Sequence, residues 1–262
     1  MNITITNSKV IYEYPTKAVY TADSAEFGPV IVKWDQNILQ LKSEYEMLSG
    51  LDGLYSCKVY HFDEKEGQLI EERIIPGTVL RNEKSLEKRL DVLKKIFFAI
   101  HKPHREGETY LDWLANIKEY CTSNQMDEEW TKKAHVAYDI CLDIFERYSD
   151  RVLLHGDLHH DNILQRENGS YAIIDPKGVV GPAILDLPRF ILNEMDTHHD
   201  ESLIGHMTRV MELISQQFAY PLKDVEKSFV METILANLWC IEDGEDVNSR
   251  QLELVEHILK RL

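Results

Sequence analysis

Between Leu153 and Asp175 the chain carries three oxygen-bearing side chains at spacings suited to metal-assisted chemistry on a phosphate. Leu153-Leu154-His155-Gly156-Asp157-Leu158-His159-His160-Asp161-Asn162-Ile163-Leu164 reads as an apolar strand, a tight turn holding an acid at Asp157 and an amide at Asn162, and a second apolar strand. A hairpin returns through Tyr171-Ala172-Ile173-Ile174 to another acid, Asp175. Asn168-Gly169 is a strong hairpin turn, so strands around 163–165 and 171–174 are expected to pair antiparallel. The three polar tips then leave strand ends that lie side by side. Such an arrangement can hold a divalent cation and a nucleophile next to a phosphate. One Asp or Asn in a turn often does no more than tie up backbone amides. It is the joint spacing, with an acid closing the hairpin, that points to chemistry.

Phosphoryl transfer asks for a positioned hydroxyl and for neutralised phosphate charge, with little covalent help from the protein. Asp157 is placed to accept the proton of an attacking hydroxyl. Asn162 and Asp175 offer the oxygen ligands that Mg²⁺ takes. Electrostatics requires the cation: unit charges about 4 Å apart interact by ~4 kcal/mol at an effective dielectric of 20. Two bare carboxylates facing a triphosphate would therefore repel it. His155 reads as a buttress of the turn. His159, His160 and Asp161 do not read as a metal cluster, because adjacent residues of an extended segment face opposite ways.

The elements that must position these groups fall into two stretches. Up to about residue 80 the chain is β-rich with one helix. Val10-Ile11-Tyr12, Ala18-Val19-Tyr20-Thr21 and Val30-Ile31-Val32-Lys33-Trp34 are short β-branched or apolar runs, broken by Pro15-Thr16-Lys17 and Phe27-Gly28-Pro29. Leu39, Leu41, Tyr45, Leu48 and Leu51 recur at helical spacing. Strands 58–62 and 68–72 follow, and Ile75-Pro76-Gly77 marks a boundary between lobes. From residue 84 the period is helical. Leu86, Leu90, Leu93, Ile96, Phe97 and Ile100 line one face; Trp113, Ile117 and Tyr120 mark a second helix; Trp130 to Tyr148 mark a third. Beyond Pro188 helices are expected over roughly 199–219, 224–241 and 248–261. The fold class is thus α+β with two lobes, residues 1–76 and 77–262, and a cleft between lobes is a favoured cofactor site.

At 262 residues with a net charge of −16, the chain is large enough for a sizeable core and too acidic to favour nucleic acid as a partner. Its charge also suits a cationic substrate, within the screening limit of about 8 Å at physiological salt. No apolar run is long enough to span a bilayer, and no membrane association is expected. Cys57, Cys121, Cys141 and Cys240 are far apart and form no CxxC pair. Reduced thiols in a cytoplasm fit best. Late in the chain, Trp239 stands beside Glu242 and Asp243, an aromatic next to acids that would suit an amine or guanidinium.

His155-Gly156-Asp157, four residues and Asn162, followed by Asp175, resembles the protein-kinase-like phosphotransferases, whose small-molecule members carry His-Gly-Asp. Ile174-Asp175-Pro176-Lys177-Gly178 narrows the resemblance to the aminoglycoside phosphotransferases, in their streptomycin/hydroxyurea kinase branch. The resemblance is specific over about 155–187 and follows the element order of the whole chain. It implies a two-lobed protein-kinase-like fold: a small antiparallel β-sheet lobe with one helix, and a larger, mainly helical lobe. The implied activity is ATP- and Mg²⁺-dependent phosphorylation of a hydroxyl on an aminoglycoside such as streptomycin. The alternatives are choline, a sugar amine or hydroxyurea as acceptor, or a nucleotide-binding pseudokinase without turnover.

Residue by residue, the resemblance casts Lys33 as the strand lysine that grips nucleotide phosphates, and Glu44, rather than Glu46, as its helix partner. Glu72 and Ile74 would meet the adenine edge through their backbone. Asp157 is the base and meets the acceptor hydroxyl; Asn162 and Asp175 hold the metal; Asp186 braces the turn. Lys177 is open to a phosphate or a structural role. The chain departs from protein kinases in lacking a glycine-rich loop, since only Gly28 precedes Lys33. Phosphate contacts are then expected from backbone or hydroxyls near Thr16, Thr21 or Ser24. No long activation segment or Ala-Pro-Glu motif follows Asp175, so a protein substrate is not expected.

Overall fold

The β-branched runs of the first 72 residues close into one antiparallel sheet. Its strands are β1 (Ile5–Tyr14), β2 (Lys17–Ser24), β3 (Gly28–Asp35), β4 (Val59–Asp63) and β5 (Gln68–Glu72), in the spatial order β1-β2-β3-β5-β4. Helix α1 (Ile38–Leu51) interrupts the strands, and its first turn is capped by Asn37, whose side chain accepts from the Gln40 N–H at 3.2 Å. The computed structural model describes residues 3–123, 126–197 and 202–262.

The chain divides into two compact units, Met1–Ile100 with His160–Gly178, and His101–His159 with Val179–Leu262. In the first unit, alternation along the strands buries Ala22, Val30, Val32 and Ile70 on one sheet face. A second cluster joins Leu48 of α1 to Cys57, Ile74 and Ala172. A separate three-stranded sheet, β6 (Pro76–Val79), β8 (Ile163–Arg166) and β9 (Tyr171–Ile173), runs in the order β6-β8-β9. The expected hairpin is present: Ile163 pairs with Ile173 and Leu164 with Ala172, and Gly169 takes φ +81° in the turn. Strand β6 was not expected. Pro76 and Gly77 read as breakers, yet an edge strand tolerates proline because its outer N–H needs no partner. Helix α2 (Leu86–Ile100) completes this unit.

The second unit is organised around α7 (Leu222–Glu242), which is buried on nearly every side through Val225, Phe229, Val230, Met231, Ile234 and Leu235. Helices α3 (Tyr110–Ser123), α4 (Glu128–Arg147), α5 (Leu187–Glu194), α6 (Leu203–Phe218) and α8 (Ser249–Leu259) pack against it. Helix α5 begins about twelve residues before any helix expected in this region, with Pro188 in its first turn, where a missing N–H costs nothing. The expected start near 199 lies outside the described residues, and helix is seen from Leu203. A short ribbon of β7 (Val152–Leu154) and β10 (Val179–Gly181) completes the unit. Cys57, Cys121, Cys141 and Cys240 are free thiols, and no described helix is long and apolar enough to cross a membrane.

Candidate active site

Cross-strand register builds one wall of a cavity in the first unit. Val19 faces Lys33, Lys33 faces Leu69, Thr21 faces Ile31 and Ile31 faces Glu71, so these side chains share a sheet face. Of these, Val19, Thr21, Ile31, Lys33 and Glu71, with Ile74, Leu164, Ile174 and Asp175, line a cavity of about 330 Å³ that has apolar walls in Val19, Ile31, Leu164 and Ile174 and charge where Lys33, Glu71 and Asp175 meet. Glu72, Arg73, Pro76 and Gly77 line the same space.

The charged end is a cage of carboxylates around one ammonium. Lys33 Nζ lies 2.5 Å from Glu44 Oε1 and 3.0 Å from Glu71 Oε1, and it also donates to Asp175 Oδ1. Burial pulls the Lys33 pKa down, but Asp175, Glu44 and Glu71 together hold it well above its usual value. Burial pushes Glu44 up to about 8 against the pull of Lys33, and raises Glu71 as well. Glu44, Glu71 and Asp175 could by spacing ligate a cation. Because the Lys33 ammonium already sits among them, the trio acts as its counter-charge. Glu46, the rejected helix partner, is exposed.

Local backbone geometry aims Asp175. The residue sits at φ +58°, a left-handed conformation that costs a non-glycine residue roughly 1–3 kcal/mol. The Ile174 N–H donates to the Asn162 carbonyl at 3.0 Å, so the two expected metal ligands leave paired strands of one hairpin. Their donor set, a carboxylate with a 46%-exposed side chain and a carboxamide, is the hard oxygen chemistry that suits Mg²⁺. Arg81 pins the turn before Asn162 by a bidentate pair with Asp161, at 2.7–3.0 Å. Gly178 takes φ +65°, and a Cβ there would lie 2.6 Å from the Ser43 carbonyl. The Asp-Pro-Lys-Gly loop therefore runs directly against the backbone of α1, which carries Glu44. Lys177 lends its carbonyl to Gln40 at 3.4 Å, and its side chain is half-buried.

Glu72 and Ile74 both line the cavity. The Glu72 N–H donates to the Lys58 carbonyl at 2.8 Å and its carboxylate pairs with Arg166, while the Ile74 side chain is in the core. Of the hydroxyls expected near the phosphates, Thr21 lines the cavity. The Ser24 hydroxyl is spent on the β2–β3 turn, 2.7 Å from Glu26, and the Thr16 carbonyl accepts from Gln36.

Asp157 belongs to the second unit. It follows Gly156, at φ +74°, and its N–H donates to His155 Nδ1 at 3.2 Å. Beneath this turn Asp186, fully buried, accepts from the His155 N–H at 2.8 Å, the Gly156 N–H at 2.7 Å and His101 Nε2 at 2.8 Å. One carboxylate thus fixes the backbone that presents another. The Asp157 carboxylate lies 3.3 Å from Arg189 Nε and 3.6 Å from His159 Nε2. Arg189 reaches Glu232 at 2.8 Å, and Glu232 accepts from the Tyr110 hydroxyl. The Arg189 guanidinium also stands 5.7 Å from the Trp239 ring, which meets Trp113 edge-on at 5.5 Å. Trp239 is thereby linked through Arg189 to Asp157. Glu242 and Asp243 lie exposed at the end of α7.

Three residues of these networks escaped the sequence reading: Glu71, Arg189 and Glu232. Glu71 had a visible signal, an acid directly after the apolar pair Leu69-Ile70 of a strand. Arg189 had another, a lone cation within an apolar run from Ile184 to Leu192. Glu232 had none.

The pattern of one family, the aminoglycoside/hydroxyurea antibiotic resistance kinases, matches residues 9–244. The chain belongs to this family. It is accordingly a small-molecule kinase, a phosphotransferase with an alcohol group as acceptor. A search of curated protein sequences finds no match. Among solved structures, the choline kinase LicA from Streptococcus pneumoniae superposes with a TM-score of 0.69 at 16% identity, over 98% of this chain and 92% of that one. A thermostable mutant of the aminoglycoside phosphotransferase APH(4)-Ia gives 0.64 at 15%, over 98% and 95%. The Plasmodium vivax ethanolamine kinase gives 0.66 at 13%, over 97% and 81%. At such identities the likeness establishes the fold, which is the α+β protein-kinase-like fold.

Proposed function

We propose that this kinase transfers the γ-phosphoryl group of ATP to a hydroxyl of an aminoglycoside, with streptomycin as the first candidate. The observation that carries the reading is the Lys33–Glu44–Asp175 ion cluster beside a cavity whose walls include Val19, Ile31, Leu164 and Ile174. Val19, Ile31, Leu164 and Ile174 suit the faces of a purine, and Lys33 suits its phosphates. LicA has been solved with AMP, and APH(4)-Ia with ADP or AMP-PNP together with hygromycin B, which agrees with an adenine nucleotide here. Glu72 and Ile74 would meet the adenine edge through backbone groups. The functional division expected at 76/77, nucleotide before and catalysis after, belongs to this proposal, with Leu164, Ile174 and Asp175 lent to the cavity by the later segment.

Asn162 and Asp175 would hold Mg²⁺, which when bound neutralises phosphate charge. Lys33, kept charged by its carboxylate cage, binds phosphate oxygens. Asp157 accepts the proton of the acceptor hydroxyl as that oxygen attacks. Arg189, 3.3 Å away, holds the Asp157 carboxylate in place. Trp239, Glu242 and Asp243 would receive the cationic groups of the substrate, for which the −16 net charge provides an attractive field. The family description favours hydroxyurea as the second reading of the acceptor.

The test is transfer of labelled phosphate from Mg²⁺-ATP to a panel holding streptomycin, other aminoglycosides, choline and hydroxyurea. Labelled streptomycin is the expected product. Turnover confined to choline or hydroxyurea would reassign the acceptor, and no turnover on any would remove the kinase reading of this site.

A further inference from the structure

The cavity has a polar lining residue on β1 that no resemblance supplies. The β1–β2 register shifts twice, once between Thr6 and Lys9 and again after Val10, which faces Tyr20; the next paired residue is Tyr12, which faces Val19. Ile11 is thus the extra residue of a β-bulge. Without it, Ile11 would stand opposite Val19 and Tyr12 would turn to the other face of the sheet. With it, Tyr12, Val19 and Lys33 form one row across β1, β2 and β3, because Val19 in turn faces Lys33. Residues of such a row share a face, and two strand spacings separate its ends by roughly 10 Å. Ile11 and Tyr12 both line the cavity together with Lys33 and Asp175, which strict alternation along a strand would forbid.

We propose that Tyr12 is a phosphate ligand: its hydroxyl donates a hydrogen bond to the terminal phosphates of the bound nucleotide, in the place of the backbone amides of a glycine-rich loop. The inference rests on the reading of this cavity as the nucleotide site. Three observations support it. The chain has no glycine-rich loop between β1 and β2. Ser24, one hydroxyl expected to serve there, is tied to its own turn. Tyr12 is 41% exposed and lines the cavity together with Lys33 and Asp175, so a polar side chain stands at the space a ligand would fill. Its protonation state suits the role. Burial first, and then the negative charge of Asp175, push the phenol up, so it remains a donor at neutral pH. Bulges recur beside active sites because they re-aim single side chains.

The experiment is calorimetric titration of the wild type and of Tyr12→Phe with AMP-PNP plus Mg²⁺ and, separately, with AMP. Phenylalanine keeps the ring and removes only the hydroxyl, and a thermal melt of each protein checks that the variant is folded. A hydrogen bond to a charged partner implies a loss of roughly ten- to a hundredfold in affinity. The expected result is that loss for AMP-PNP, with AMP changed by less than about twofold. Equal affinity of variant and wild type for AMP-PNP, or an equal loss for both nucleotides, would overturn the assignment of Tyr12 while leaving the nucleotide site in place. Failure of the wild type to bind either nucleotide would remove the site reading and this inference with it.

Discussion

Asp186 illustrates how much one buried carboxylate can organise. Its two oxygens accept from the two backbone N–H groups that open the Asp157 turn and from His101, with the residue fully buried. Each of these donors would be orphaned in a buried position without it, and a buried donor left unpaired costs about 1–3 kcal/mol. Asp186→Ala should therefore lower stability by roughly 3–5 kcal/mol in urea denaturation, more than its side-chain volume alone accounts for. Asp186→Asn, which keeps one acceptor oxygen, should lose about half as much. Equal, small losses in both variants would show that the turn holds itself. The Lys33 cage obeys the same rule with opposite charge. One ammonium serves three acids, and burying Lys33, Glu44 and Glu71 together depends on their pairing.

At the scale of elements, the decisive contact is the approach of the Asp-Pro-Lys-Gly loop to α1. A methyl group at 178 would strike the Ser43 carbonyl at 2.6 Å and would have to adopt φ +65°. Gly178→Ala should cost about 2 kcal/mol or more. It should also weaken nucleotide binding, because the displaced helix carries Glu44 away from Lys33; a normal nucleotide affinity in this variant would contradict that coupling. Elements whose signal is local were legible in the sequence. The five strands of the first sheet, α1, the three helices from Leu86 to Arg147 and the Asn168-Gly169 hairpin all announce themselves through short-range periodicity or turn chemistry. Strands β6 and β10 did not, since each is a short segment ordered by a distant partner: Pro76–Val79 by β8, and Val179–Gly181 by β7. The same limit governs the site. Lys33 and Glu44 were readable from a strand–helix pattern, whereas Tyr12 depends on a one-residue bulge that no composition reveals. Arg189 depends on the packing of α5 against α7.

At the scale of the whole molecule, charge is the property that bears on the substrate. A chain with net charge −16 attracts a cationic acceptor, and the exposed acids Glu242 and Asp243 add to that field locally. Screening shortens its reach from about 10 Å at 0.1 M to 3 Å at 1 M salt. The KM for streptomycin should therefore rise severalfold over that range, while the kcat stays nearly constant. A KM indifferent to salt would point to a neutral acceptor such as hydroxyurea. The central claim is that Asp157 takes the proton of the acceptor hydroxyl while nucleotide binding resides in the Lys33 cavity. The most direct measurement compares wild type and Asp157→Asn for phosphate transfer from Mg²⁺-ATP to the acceptor, alongside AMP-PNP affinity. The account predicts a rate lowered by about 10²–10⁴-fold with nucleotide affinity unchanged within about twofold. A variant that transfers phosphate at the wild-type rate would contradict it.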